Sequence, residues 1–128
     1  MVHRHHLETR LLEYAVRVIK VVESLPRTLA GRHIASQLIR SATSVGANYE
    51  EAQGAESRED FIHKLQIALK ESRESNYWLR LVVQARLLPP ERVTEILDES
   101  IQLRAMLSKA VATAKGKSRT GPAAAFKQ

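Results

Sequence analysis

Apolar residues return every three or four positions from Leu7 to Leu25 (Leu7, Leu11, Tyr14, Ala15, Val18, Val22, Leu25), while Arg10, Glu13, Arg17 and Lys20 hold the opposite stripe. This pattern predicts an amphipathic helix that Pro26 ends, because proline disfavours helical backbone in the residue before it and has no amide hydrogen to donate. Thr28 is placed to cap a second helix with the inward stripe Ile34, Leu38, Ala42, Val45, Tyr49 and Ala52, stopping at Gly54. Gly46 lies inside that helix, so a bend or a close backbone approach is expected there. Ser57 with Asp60 three residues on forms a capping-box pattern and opens a third helix, seamed by Phe61, Leu65, Ala68, Ser72, Ser75, Leu79 and Val82. It is expected to run to about Leu88, where Pro89 and Pro90 break it and Pro90 suits the first turn of a fourth. That last helix carries Val93, Ile96, Leu97, Ser100, Leu103, Leu107 and Val111 on one face, and the pattern stops after Ala114.

Four helices joined by connections of a few residues make antiparallel neighbours. The predicted fold is therefore all-α, an up-down-up-down four-helix bundle, with no strand signal and no internal repeat beyond the helical period. Residues 1–114 form the bundle domain, and residues 115–128, rich in Lys, Gly, Ser and Ala, form a basic tail expected to be disordered.

The late part of the third helix is apolar on several sides, with Tyr77, Trp78, Leu79, Leu81, Val82, Val83, Leu87 and Leu88. One bundle core uses one face, so a second apolar surface is expected to meet another subunit. The same holds for a second stripe on the first helix, and the predicted oligomer interface is Trp78, Leu81, Leu88, Leu12, Val16 and Ile19. The opposing explanation is a broad arc buried within one subunit. Periodicity does not choose between a dimer and a ring.

Charge adds a location. The net charge is +6, but Lys115, Lys117, Arg119 and Lys127 sit in a tail without acid, and without them the balance falls to +2. Residues 24–49 contain Arg27, Arg32 and Arg40 and no acid, and the topology brings Arg27 and Arg32 to the end where Arg80 and Arg86 leave the third helix. The candidate nucleic-acid contacts are thus Arg27, Arg32, Arg40, Arg80, Arg86, Lys115, Lys117 and Arg119, reading backbone phosphates with weak sequence selectivity, since no exposed aromatics are expected between them and no helix-turn-helix or ribonucleoprotein motif is present. The opposite end gathers Glu50, Glu51, Glu56, Glu59 and Asp60, onto which the tail is able to fold instead. Antiparallel pairing about the turn near Gly54 sets Arg40 opposite Glu71.

Catalytic signals are missing. Without cysteine there is no disulfide, thiolate zinc site or thiol nucleophile, and the cytoplasm is the expected compartment. No apolar run exceeds four residues, so no membrane span is expected. His3, His5 and His6 cluster at a terminus without a carboxylate pair, and His33 and His63 fall on different helices. No phosphate-cradling glycine loop or cofactor motif is present, and the expectation is a protein without enzymatic activity, cofactor or metal.

Leu25-Pro26, the run Ser36-Gln37-Leu38-Ile39-Arg40-Ser41-Ala42-Thr43-Ser44-Val45-Gly46-Ala47-Asn48-Tyr49-Glu50-Glu51-Ala52, then Ser57, Phe61, Lys64 to Leu69, Glu71 and Glu74, resemble the bacterial 23S rRNA intervening-sequence proteins. The resemblance covers about residues 8–114, and several members have proline where this chain has Gly46. It implies an antiparallel four-helix bundle assembled as a homopentamer, with no established enzymatic activity. The family name reflects insertions in 23S rRNA genes. A related group resembles it in fold and basic character and serves as the accessory subunit of reverse transcriptases in diversity-generating retroelements, binding enzyme and nucleic acid. Two functions follow as expectations: a homo-oligomer that contacts RNA or DNA, or a protein-interaction scaffold with no nucleic-acid role of its own.

Overall fold

The computed structural model describes residues 2–120, with side chains for residues 6–116. Four helices follow one another: α1 (Val2–Ser24), α2 (Leu29–Gln53), α3 (Arg58–Gln84) and α4 (Thr94–Thr120), with a single 3-10 turn at Pro90–Arg92 before the last. Among the described residues there is no strand, and no helix is long and apolar enough to cross a membrane. Neighbours in sequence pack as antiparallel neighbours in space, and α1 closes the bundle against α4.

The helix starts follow their caps. The Thr28 hydroxyl accepts from the Gly31 amide at 3.0 Å, and the Ser57 hydroxyl accepts from the Asp60 amide at 3.0 Å. The end of α3 differs from expectation. It stops at Gln84, short of Leu88, because Arg86 takes a left-handed backbone (φ 56°). The Arg86 amide then donates to the Val83 carbonyl at 3.1 Å and the Leu87 amide to the Val82 carbonyl at 3.0 Å. This is a Schellman termination with arginine where glycine is the usual occupant. At the other terminus α4 runs past Ala114 to Thr120. Residues 121–128, and the side chains of Lys117 and Arg119, lie outside the described residues.

The core takes the predicted stripes almost residue for residue. Leu11, Tyr14, Val18, Leu38, Val45, Leu65, Leu79, Val82, Val93, Leu103 and Leu107 are all but inaccessible to water. On α1 the stripe drifts: Val21 is buried and Val22 only half so. Each fully buried Leu or Val contributes about 1.5–3 kcal/mol of apolar transfer, which makes this seam the main source of stability.

A polar layer crosses the seam. The Tyr14 and Ser75 hydroxyls bond at 2.8 Å, Ser75 donates to the Ser72 carbonyl at 3.1 Å, and the Asn76 amide donates to Ser100 at 2.9 Å. Burial pushes the Tyr14 phenol up, against the pull of its bonds to Ser75 and Ser100. Outside the core, Arg10 of α1 clamps Glu99 of α4 with two bonds of 2.8 and 2.9 Å. These bonds hold the Glu99 carboxyl below its ordinary 4.5, outweighing the burial that raises it.

Two glycines do opposite work. A Cβ on Gly31 would run into the Pro26 carbonyl oxygen, whereas one on Gly46 would rest 3.4 Å from the Leu11 Cβ, the close approach of α1 and α2 expected at this position. Gly31→Ala is therefore expected to lower stability by about 2 kcal/mol or more, and Gly46→Ala to leave it level or raise it by up to about 1 kcal/mol through helix propensity, both read from urea midpoints. A second prediction concerns acid. Because the folded Glu99 pKa is depressed, its contribution is fully present above 4.5 and is lost as pH falls through the depressed value. Glu99→Gln should be destabilised by about 1.5 kcal/mol at neutral pH, and the gap to the parent should close in unfolding curves taken below pH 4.5.

Candidate nucleic-acid interface

Pro26 ends α1, and the Thr28 cap with the packing of Gly31 against Pro26 folds the chain tightly back into α2. This turn presents Arg27 and Arg32 to solvent, with the Arg32 guanidinium donating to the Arg27 carbonyl at 2.7 Å. α3 leaves at the same end: His33 of α2 meets Trp78 of α3 edge to face at 5.8 Å, which sets Arg32 close to the level of Arg80. Arg86 stands beyond it on the left-handed cap, and Arg92 closes the end by donating to the Ser24 hydroxyl at 2.9 Å. Arg27, Arg32, Arg80 and Arg86 take no part in the ion pairs among the described residues. The structure thus brings these four to one end of the bundle.

Arg40 and Lys115 stand elsewhere. Arg40 lies midway along the bundle and is answered by Glu71 at 3.2 Å and by Glu74, with Gln37 beside it, so its charge is already compensated. The predicted pairing with Glu71 is the reason. Lys115 is exposed but sits near the end of α4, at the opposite end of the bundle, and Lys117 and Arg119 lie beyond the described side chains. Lys115 and the arginine cluster therefore do not form one surface.

The expectation that no exposed aromatic accompanies the arginines is overturned. Tyr77 is 49% exposed, with the Arg80 guanidinium 5.8 Å from its ring centre and Trp78 edge-on at 5.1 Å. Trp78 is itself held by an indole N–H bond to Glu74 at 3.1 Å. The signal was present in the sequence as Tyr77 and Arg80 three apart on one helix, hidden because Tyr77 was counted with the apolar residues around it. Arg80 has a second anchor: its Nε donates at 3.0 Å to the carbonyl oxygen of buried Asn76, which also takes Arg104 of α4 at 3.4 Å.

The residues nominated for an oligomer interface separate as well. Leu88 is buried in its own chain, because the Schellman turn folds it back under the bundle, and Trp78 and Leu81 are half-buried against the core. They leave little surface for a neighbour. Leu12 and Val16 are the reverse, 67% and 48% exposed, and with half-buried Ile19 they line a groove of about 620 Å³ floored by Gly46 and Ala47 of α2. Among the described residues no group of three or more His, Asp or Glu side chains is gathered to hold a metal.

Comparison with known proteins agrees with this architecture. A crystal structure of a protein of unknown function from the S23 ribosomal protein family of Bacteroides thetaiotaomicron is 36% identical, superposes with a TM-score of 0.76, and matches over 82% of this chain and 97% of its own. No curated protein matches the chain. The model of the 23S rRNA-intervening sequence protein family matches residues 9–109, from within α1 to within α4. The chain belongs to the 23S rRNA-intervening sequence protein family.

Proposed function

We propose that this protein is a non-enzymatic, homo-oligomeric bundle that holds RNA or DNA by its backbone phosphates, using Arg27, Arg32, Arg80 and Arg86. One observation carries the reading: Arg86 occupies a left-handed position that glycine fills at lower cost, at an end where three further arginines lack carboxylate partners among the described residues. Uncompensated guanidinium groups gathered at one end attract a polyanion. Self-association is supported by the exposed Leu12 and Val16, which lie side by side on a groove too apolar for a face meant only for water. A homopentamer is the form that the family resemblance implies.

A protein partner is the second reading. The same α1–α2 groove supports it, since an apolar helix from a reverse transcriptase or another enzyme would suit it as well as a second copy.

Light scattering at micromolar concentration should give a multiple of the chain mass, and a monomer would remove the oligomer. Affinity for RNA or DNA should fall steeply with salt, by about 0.7–0.9 in log–log slope for each phosphate contacted. Binding that is flat in salt, or absent at low salt, sinks the phosphate reading. Recovery of a protein partner that survives nuclease treatment would favour the second. Arg86→Gly separates folding from binding: it should leave the protein equally stable or about 0.5–1 kcal/mol more so, while weakening nucleic-acid affinity several-fold.

A further inference from the structure

The outward stripe of α3 reads Lys70, Arg73, Tyr77, Arg80 and Gln84, all exposed and spaced by three or four residues, so that they share one face. The stripe from Lys70 to Arg80 is about 15 Å long at the rise of an α-helix. Arg104 of α4 joins it through the shared carbonyl of Asn76. Its acids are turned away or engaged: Glu71 and Glu74 lie toward α2 against Arg40, and on α4 Glu99 is clamped by Arg10 and Asp98 accepts from Gln102. The face is therefore cationic, with one tyrosine in its middle.

We propose that this face binds single-stranded nucleic acid, with an unpaired base stacked on Tyr77 and the flanking phosphates on Arg73, Arg80 and Arg104. The inference rests on the phosphate-contact reading and adds the kind of strand to it. Three observations carry it. Half of the Tyr77 surface is open although its ring is polarised by a guanidinium and braced edge-on by Trp78, an arrangement that offers a π surface at low entropic cost. Arg80 is held from below by Asn76, which is 2% exposed and tied to Ser100, so the cation stands in place before any ligand arrives. A basic track interrupted by an exposed aromatic suits a strand whose bases are free to stack, whereas a duplex keeps its bases stacked inside and would leave Tyr77 unused.

The chain has a single tryptophan, Trp78, whose ring lies 5.1 Å from Tyr77, so its emission reports directly on this face. The full-length protein would be titrated with oligouridylate, oligothymidylate, a duplex of equal charge and heparin at one salt concentration. Both single strands should bind more tightly than the duplex and perturb Trp78 emission. Tyr77→Ala should weaken single-strand binding by roughly 5- to 100-fold and leave heparin binding nearly unchanged, while Tyr77→Phe keeps most of the affinity. Arg73→Gln should weaken all strands and lower the salt slope by about one contact. Exposure of Tyr77 means that melting curves of its variants should overlay the parent's. Salt-sensitive binding that ignores Tyr77→Ala, or that favours the duplex, overturns this inference and leaves the phosphate reading standing. Failure to bind any of the polyanions at low salt overturns both.

Discussion

Hydrophobic burial alone would hold four amphipathic helices together in several registers, because leucine and valine stripes slide past one another at modest cost. The buried polar layer admits one register. Tyr14, Ser75, Asn76 and Ser100 come from α1, α3 and α4 and bond to one another across the helices only when those three stand at one relative height. A slip of one turn would break the Tyr14–Ser75 and Asn76–Ser100 bonds and leave buried polar groups short of a partner, at about 1–3 kcal/mol apiece. Asn76 extends the constraint outward: its side-chain nitrogen points into the core and its oxygen out to Arg80 and Arg104, so the same amide sets register and aims two surface cations.

Charge on this bundle divides into used and unused. Arg10, Arg17, Arg40 and Lys64 each face a carboxylate on a neighbouring helix and help to tie α1 to α4 and α2 to α3. Among the described residues, the arginines at the α1–α2 turn and the end of α3 have no such employment, nor do those on the outer face of α3. A net charge spread over a surface says little about function, but cations sorted into paired and unpaired sets by geometry mark where an anion would be welcome.

The apolar surplus of α3 turns out to be absorbed mostly at home. α3 is flanked by both α2 and α4, so Leu81, Val83 and Leu87 rest against the rim of the core and Leu88 folds beneath it. The broad-arc explanation accounts for this helix. On α1 it does not, since Leu12 and Val16 stay largely exposed along the groove they share with α2, and there the apolar stripe is only partly covered within the chain.

Periodicity, proline and capping residues by themselves determined the four helices, their starts at Thr28 and Ser57, their antiparallel order and nearly every core position, because each of these depends on residues within a turn or two of one another. The Arg40–Glu71 pair was also legible, since antiparallel packing about a short turn converts numbering into proximity. Tertiary structure decided the rest. Only packing shows that Arg80 has no carboxylate partner among the described residues, that Asn76 holds two arginines from different helices, and that Tyr77 faces water while its neighbour Leu79 does not. Arg86 left no sign in the sequence, because a left-handed arginine follows from how α3 must turn under the bundle to bury Leu88, a constraint imposed by the core and not by the residues beside it.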